Sequence, residues 1–364
     1  MVKEHVKYMR YVKDQIMNKS SLNFLILFVT SKCNSKCKTC FVYDRLNKKD
    51  DLHLEEYYKI SDNMGNFPNL LLSGGEPFIT PNLVDVCSKF IKDNGVKILS
   101  IPTNGSFVNK ILKDSETLAK KFPNTIISIN PSLDGMEKVH DEIRGLPGGF
   151  KKTIETINGL SELKEKYPNL QVIVNTCIHK DNFEEAKNLA EYLRQFEIDH
   201  HAFELIRGNP PSKELKKATL EKTKEIHQFI LKNRKYYIDR KNNNFANKII
   251  ERVMVLGSLN YIHKFKESSM EKGKWPKTCV AGKSIMVIYP NGETALCELK
   301  SVVGNLRDFN YRIDKLLASP RAQEELEKVK TCHCTHVCFI NATMASKPST
   351  VFQIPYNYWK SGKL

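Results

Sequence analysis

Cys33, Cys37 and Cys40 stand in a C-x3-C-x2-C run. Three thiolates can hold three corners of a [4Fe–4S] cube and leave its fourth iron open, whereas four cysteines close such a cluster. An open iron can take a substrate or cofactor as its ligand. The same residues also suit a zinc loop with a remote fourth ligand, or three unrelated thiols, although zinc loops favour paired C-x2-C spacings with further Cys or His. Farther along, Cys279 and Cys297 flank Gly292, and Cys332, Cys334 and Cys338 follow as C-x-C-x3-C. A hairpin with a thiol at each base, closed by thiols from a later segment, can wrap a second cluster completely. A zinc site of Cys332, Cys334, His336 and Cys338 is the alternative there. Cys87 and Cys177 have no such neighbours and read as small buried apolar residues.

The elements that must position these thiols follow from periodicity. Apolar strands are expected over 24–30, 70–73, 97–102, 125–131, 170–177 and 200–206. Helices are expected over 53–65, 81–94, 109–121, 149–166 and 183–196, several opened by Asp, Pro or Asn. Such alternation predicts a parallel α/β sheet of βαβ units, short of the eight units of a full barrel. The expectation is a partial (β/α)6 TIM-like barrel over 1–210, with chemistry at the carboxyl ends of its strands. Lys-rich helices over 212–236 and 245–265 read as a connector, 211–277. From 278 to 364 a separate small unit is expected, with a hairpin at Pro290-Asn291-Gly292 and one helix over 311–330.

Composition narrows the class. The chain has 364 residues, 41% hydrophobic and 27% charged, which fits an ordinary globular protein. Its net charge of +16 comes from 57 Lys+Arg, only 11 of them Arg, spread along the chain. Nucleic-acid readers gather Arg on one element, so no nucleic-acid partner is expected, and the excess reads as Lys surface that favours an acidic substrate or electron donor. No apolar run approaches the roughly 20 residues of a membrane span. The first twenty residues read as an amphipathic helix without a signal peptide's apolar core, so a cytoplasmic location is expected, where clustered thiols more often bind metal than form disulfides.

On these residues the chain resembles the radical S-adenosylmethionine (radical SAM) superfamily, in which a C-x3-C-x2-C loop after the first strand holds the open cluster. The family's aromatic slot before the third cysteine is Thr39 here, with Phe41 and Tyr43 following. Gly74-Gly75-Glu76-Pro77 is similar to the family's GGEP motif, whose backbone and Glu side chain receive the methionine amino group of SAM. Thr103-Asn104-Gly105 ends the third strand. The resemblance places Ser132 near the ribose and Arg144, twelve residues later, on the carboxylate of SAM, a suitable role for a guanidinium fork. Leu205 would border the adenine.

The spacing from Cys279 through Gly292 to Cys297 resembles the opening of the SPASM/twitch extension of one branch of the family. With five cysteines rather than the full SPASM complement, one auxiliary [4Fe–4S] cluster is expected, held by Cys279, Cys297, Cys338 and either Cys334 or Cys332. Glu298 occupies the slot after the second auxiliary cysteine, which in related sulfatase-maturing enzymes holds a base.

The resemblance implies an enzyme that cleaves SAM reductively to a 5'-deoxyadenosyl radical, with the electron from a flavodoxin- or ferredoxin-type donor, and abstracts hydrogen from its substrate. A ribosomal peptide or protein is the expected substrate, with oxidation, epimerisation or cross-linking as outcomes. The alternatives are a dehydrogenase or epimerase of a sugar-like small molecule and, from another class, a non-catalytic iron–sulfur or zinc protein. Many peptide-modifying relatives carry a leader-binding module before the barrel. About twenty residues precede the first strand here, so a peptide is expected to dock on the barrel, on the 212–265 helices or through a separate partner.

Overall fold

The computed structural model describes residues 22–216, 220–241 and 244–360; the expected helix in the first twenty residues lies outside them. Six strands, β1 Phe24–Phe28, β2 Asn69–Ser73, β3 Ile98–Thr103, β4 Ile126–Pro131, β5 Leu170–Ile178 and β6 His200–Leu205, pair in parallel in chain order. Helices α1 Leu54–Asp62, α2 Leu83–Asp93, α3 Val108–Lys121, α4 Glu137–Arg144, α5 Gly149–Lys166 and α6 Phe183–Tyr192 connect them. Neighbours in sequence are thus neighbours in the sheet, the wrap of a partial (β/α)6 TIM-like barrel. Leu25, Ile26 and Leu27 on β1 are fully buried in succession, as expected of a strand covered on both faces. On β5 burial alternates: Asn175 and Cys177 are half-buried while Val174, Thr176 and Ile178 are buried. The half-buried set shares one face of the strand with its neighbours on β6, Cys177 lying opposite Glu204.

Two long helices follow, α7 Leu220–Arg240 and α8 Phe245–Lys272. Asn244 starts α8 by accepting from the Asn247 amide, and Gly273 ends it in the left-handed region at φ +59°. The hairpin read from Pro290-Asn291-Gly292 forms as β7 Ile285–Ile288 and β8 Glu293–Ala295, joined by β9 Val302–Asn305. β7 also pairs in parallel with β1, Phe24 opposite Ile285, so one nine-stranded sheet runs β6-β5-β4-β3-β2-β1-β7-β8-β9. The strand leading into the first cysteine loop therefore lies beside the hairpin that Cys279 and Cys297 flank.

The single helix expected over 311–330 is two, α9 Ile313–Leu317 and α10 Pro320–Val329. Ser319 accepts from the Ala322 amide and Pro320 takes the first helical turn, where its missing N–H costs nothing. α11 Val337–Ala345 and α12 Thr350–Lys360 close the fold. Among the described residues no helix is long and apolar enough to cross a membrane.

Candidate active site

The loop after β1 is held from several sides. Asp51 accepts from Thr30 Oγ1 and the Ser31 amide, each at 2.9 Å. Asn47 accepts the Cys33 amide at 3.1 Å, and Asn104, at the end of β3, donates to Asn34 Oδ1 at 2.8 Å and Ser35 Oγ at 3.1 Å. The amides of Lys36 and Lys38 donate to the carbonyls of Arg144 and Ile143 at 3.0 and 2.9 Å. Residues on either side of Cys37 thus satisfy the open acceptors at the end of α4.

Burial pushes Cys33 and Cys40 up to about 11, and Cys33 also feels the charges of Cys37 and Cys40, so the three thiols share one electrostatic neighbourhood. Opposing that, the Ser35 amide points at Cys33 Sγ at 3.4 Å and the Val42 amide at Cys40, contacts that favour the thiolate. Sulfurs provided with amide donors, with the Arg144 charge acting on Cys37 and Cys40, fit an iron–sulfur cluster. Among the described residues no three ligating side chains converge tightly enough for a single metal ion, whereas a cube spreads its ligands over separate irons.

At the end of β2, Gly74 and Gly75 serve a close backbone contact. A Cβ at Gly75 would lie 2.1 Å from the Lys32 carbonyl oxygen, and one at Gly74, with φ +136°, 2.4 Å from that of Thr30. The Cβ side of both glycines faces the cysteine loop rather than a ligand. Gly75→Ala is expected to destabilise the protein by about 2 kcal/mol or more through this clash, measured by urea unfolding; a loss under about 0.5 kcal/mol would contradict it.

Glu76 is 1% exposed. It accepts from Thr103 Oγ1 and the Asn104 amide, both at 2.7 Å, and from the Phe78 amide at 3.2 Å, where Pro77 opens a short 3-10 turn. Burial pushes Glu76 up to about 7, against the pull of these neutral donors. Between its ordinary value of 4.5 and about 7 the folded chain keeps a proton that the unfolded chain gives up, so stability falls as pH rises through that window. Glu76→Gln should remove up to about 3 kcal/mol of that decline, read from urea unfolding across the window without SAM. An unchanged pH slope would refute the assignment.

Arg144 is half-buried, ion-paired through Nε to Asp134 at 2.7 Å, with a second nitrogen 3.9 Å from Cys37 Sγ. Asp134 also accepts the Cys177 amide at 2.8 Å and donates its own amide to His140 Nδ1 at 3.2 Å. Burial holds that imidazole down near 4, neutral at ordinary pH. Asp141 instead caps the start of α5 through the amides of Gly148 and Phe150. Ser132 bridges to Asn175 between β4 and β5, half-buried. Leu205 ends β6, also half-buried.

In the second cysteine set, burial raises Cys279, Cys297 and Cys334, the last to about 12. Cys279 feels Cys332, Cys297 feels Cys334 and Cys279, and Cys334 feels Cys332 and Cys279. The pattern of a donor two residues on recurs: Leu299 N to Cys297 Sγ and His336 N to Cys334 Sγ, each at 3.4 Å. Cys338, on α11, is grouped differently, among Glu204, Arg207 and Glu298. Cys279, Cys297, Cys332 and Cys334 act electrostatically on one another, while the charged neighbours of the expected ligand Cys338 are Glu204, Arg207 and Glu298. His336 of the zinc alternative pairs its Nε2 with Glu298 and keeps Nδ1 without a hydrogen-bond partner.

Glu298, offered from the sequence as a base, is 2% exposed at its side chain. Burial would raise it, but Arg207 and His336 outweigh that and hold it below the usual carboxylate range. It is a fixed ionic partner. Arg207 reaches Glu204 at 2.5 Å and Glu298 at 3.7 Å, and its guanidinium lies 4.4 Å from the ring centre of Phe41, next to Cys40. Arg207 thus ties the first cysteine loop, the end of β6 and the second cysteine set together. The sequence read Cys177 as core; the two-residue parity of β5 and β6 is the signal that places Cys177 beside Glu204. Cys87 is in the core, as expected.

The sequence profile described as the radical SAM superfamily matches residues 27–193. The chain is 25% identical over 217 residues to the Fe-coproporphyrin III synthase of Methanosarcina barkeri, covering 55% of this chain and 51% of that protein. It is 29% identical over 175 residues to the sporulation killing factor maturation protein SkfB of Bacillus subtilis, covering 45% and 38%. It thus matches about half or less of the length of these relatives. In fold it resembles Streptococcus suis SuiB bound to the precursor peptide SuiA, with TM-score 0.58, 16% identity and coverage of 96% of this chain and 78% of that one.

Proposed function

This chain belongs to the radical SAM superfamily, in its SPASM/twitch branch, and on that premise we propose that it modifies a ribosomally made peptide or protein by hydrogen abstraction. A [4Fe–4S] cluster and S-adenosylmethionine, the cofactors of this family, supply one-electron cleavage of a sulfur–carbon bond and hydrogen abstraction from an unactivated carbon. Cys33, Cys37 and Cys40 would hold that cluster, in a loop fixed by Asp51, Asn47 and Asn104. Glu76 is placed to receive an ammonium group, whose charge would ionise it. Arg144, oriented by Asp134, and the half-buried Ser132 and Leu205 complete the SAM-binding residues, with Gly74, Gly75 and Pro77 shaping the turn. Cys279, Cys297, Cys338 and either Cys334 or Cys332 would hold one auxiliary [4Fe–4S] cluster. A flavodoxin- or ferredoxin-type protein is the proposed electron donor, and the net charge of +16 suits an acidic one.

The observation that carries this reading is the convergence, near the carboxyl ends of the parallel strands, of three neighbouring thiols, a buried carboxylate and a half-buried guanidinium. A peptide is preferred because SkfB is described as a maturation protein and SuiB is seen with a precursor peptide. The test is anaerobic: reconstituted, reduced protein is given SAM and a host extract, and 5'-deoxyadenosine is measured before and after the extract is digested with protease. Stimulation that protease abolishes supports the peptide reading. Stimulation that survives protease favours a small molecule.

A further inference from the structure

The molecule has a second polar feature that the SAM site does not use. A pocket of about 60 Å³ is lined by Glu204 and Leu205 of β6, by Ile226, His227 and Ile230 of α7, and by Lys266 of α8. It adjoins a cleft of about 400 Å³, with which it shares Ile178, Leu205, Thr223 and Ile226, and whose mouth carries Lys180, Lys216 and Lys222. That volume is in the range of ligand sites.

Lys266 is 7% exposed, and burial lowers its affinity for a proton. Among the described residues no carboxylate closes an ion pair with it; Glu204, whose field it feels, is turned to Arg207 at 2.5 Å. The other titratable groups facing it do not compensate. His227 and His263 are stacked with ring centres 3.9 Å apart and are held near 4 by burial, hence neutral. His227 Nε2 is engaged with Asn260 Oδ1 at 2.9 Å, and His263 Nε2 lies 3.3 Å from Glu267, which also faces Lys224. A buried ammonium without a paired anion is costly unless a ligand supplies one.

We propose that the pocket and the cleft beside it form a substrate subsite for an acidic peptide segment, with a carboxylate of the segment seated in the pocket on Lys266 and the remaining chain leaving through the cleft past Lys180 and Lys216. The proposal rests on the enzyme reading for its purpose, and charge complementarity selects the occupant. β6 connects the subsite to the chemistry: Leu205 lines both cavities, and Glu204 joins the pocket to Arg207 and so to Phe41 beside Cys40.

The probe is acetyl-triglutamate amide, titrated calorimetrically into cluster-loaded protein, with acetyl-trilysine amide and inorganic phosphate as parallel arms. The titration needs neither SAM nor reductant, so it can fail while SAM cleavage stands, and the reverse. Triglutamate alone is expected to bind, and Lys266→Met to weaken it by about 30-fold or more. Ile230→Trp, which fills the pocket and leaves every charge in place, should weaken it too and serves if Lys266→Met does not fold. Binding untouched by either variant, trilysine binding equal to triglutamate, phosphate binding alone, or no binding would overturn the proposal.

Discussion

Cys37→Ala is expected to reduce 5'-deoxyadenosine formation from SAM by at least ~100-fold in reduced, reconstituted protein, and to lose the iron and sulfide of one cluster. The magnitude follows from the role: disturbing the support of a metal ligand typically costs ~10–100-fold, and removing the ligand exceeds that. Cys37 is the thiol nearest Arg144, at 3.9 Å, with loop amides bound to the end of α4 on either side. Its removal opens a second corner of the cube while leaving the backbone clamp in place. Cys87→Ala, in the core on α2, is the control and should retain both cluster content and SAM cleavage. Equal rates from the two variants would show that the loop does not hold the reactive cluster.

Arg207→Met should destabilise the cluster-loaded protein by about 3 kcal/mol. Arg207 neutralises Glu204 and Glu298, and Glu298 has a side-chain exposure of only 2%, so truncation leaves a buried carboxylate with His336 as its remaining close partner. Breaking one side of a buried ion pair costs roughly 3–5 kcal/mol, and the 21% exposure of Arg207 argues for the lower end. The double variant Arg207→Met with Glu298→Gln should recover part of the loss, since the stranded charge is gone. Anaerobic urea unfolding reads both. A single-variant loss under about 1 kcal/mol, or a double variant no better than the single, would show that the pairing contributes little.

Much of the barrel was legible because parallel strands and their helices announce themselves locally. The six expected strands appear within a few residues of their sequence-derived limits, and the three cysteines fall after β1. Contacts between distant segments were less legible. Nothing local shows that Phe24 lies opposite Ile285, yet this pairing brings the two cysteine sets onto one sheet. Asn104 reads as part of the turn after the third strand, yet its amide nitrogen is engaged by Asn34 and Ser35, across some seventy residues of chain. Gly74 and Gly75 are read from the GGEP resemblance, and what lies against their Cβ side is the backbone of Thr30 and Lys32. Cys338 keeps a ligand-like spacing, and only the fold reveals that Glu204, Arg207 and Glu298 are its charged neighbours. The break at Ser319-Pro320 was available in the sequence, a capping serine before a proline, and a single periodic stretch hid it.

The vacant iron corner is tested most directly by electron paramagnetic resonance of the anaerobically reduced protein with and without SAM. The expected result is a change in one of two cluster signals on adding SAM, absent from a variant with Cys33, Cys37 and Cys40 all replaced by Ala, which keeps the other signal. A spectrum that SAM leaves unaltered in the parent protein, or a change that persists in the triple variant, would contradict it.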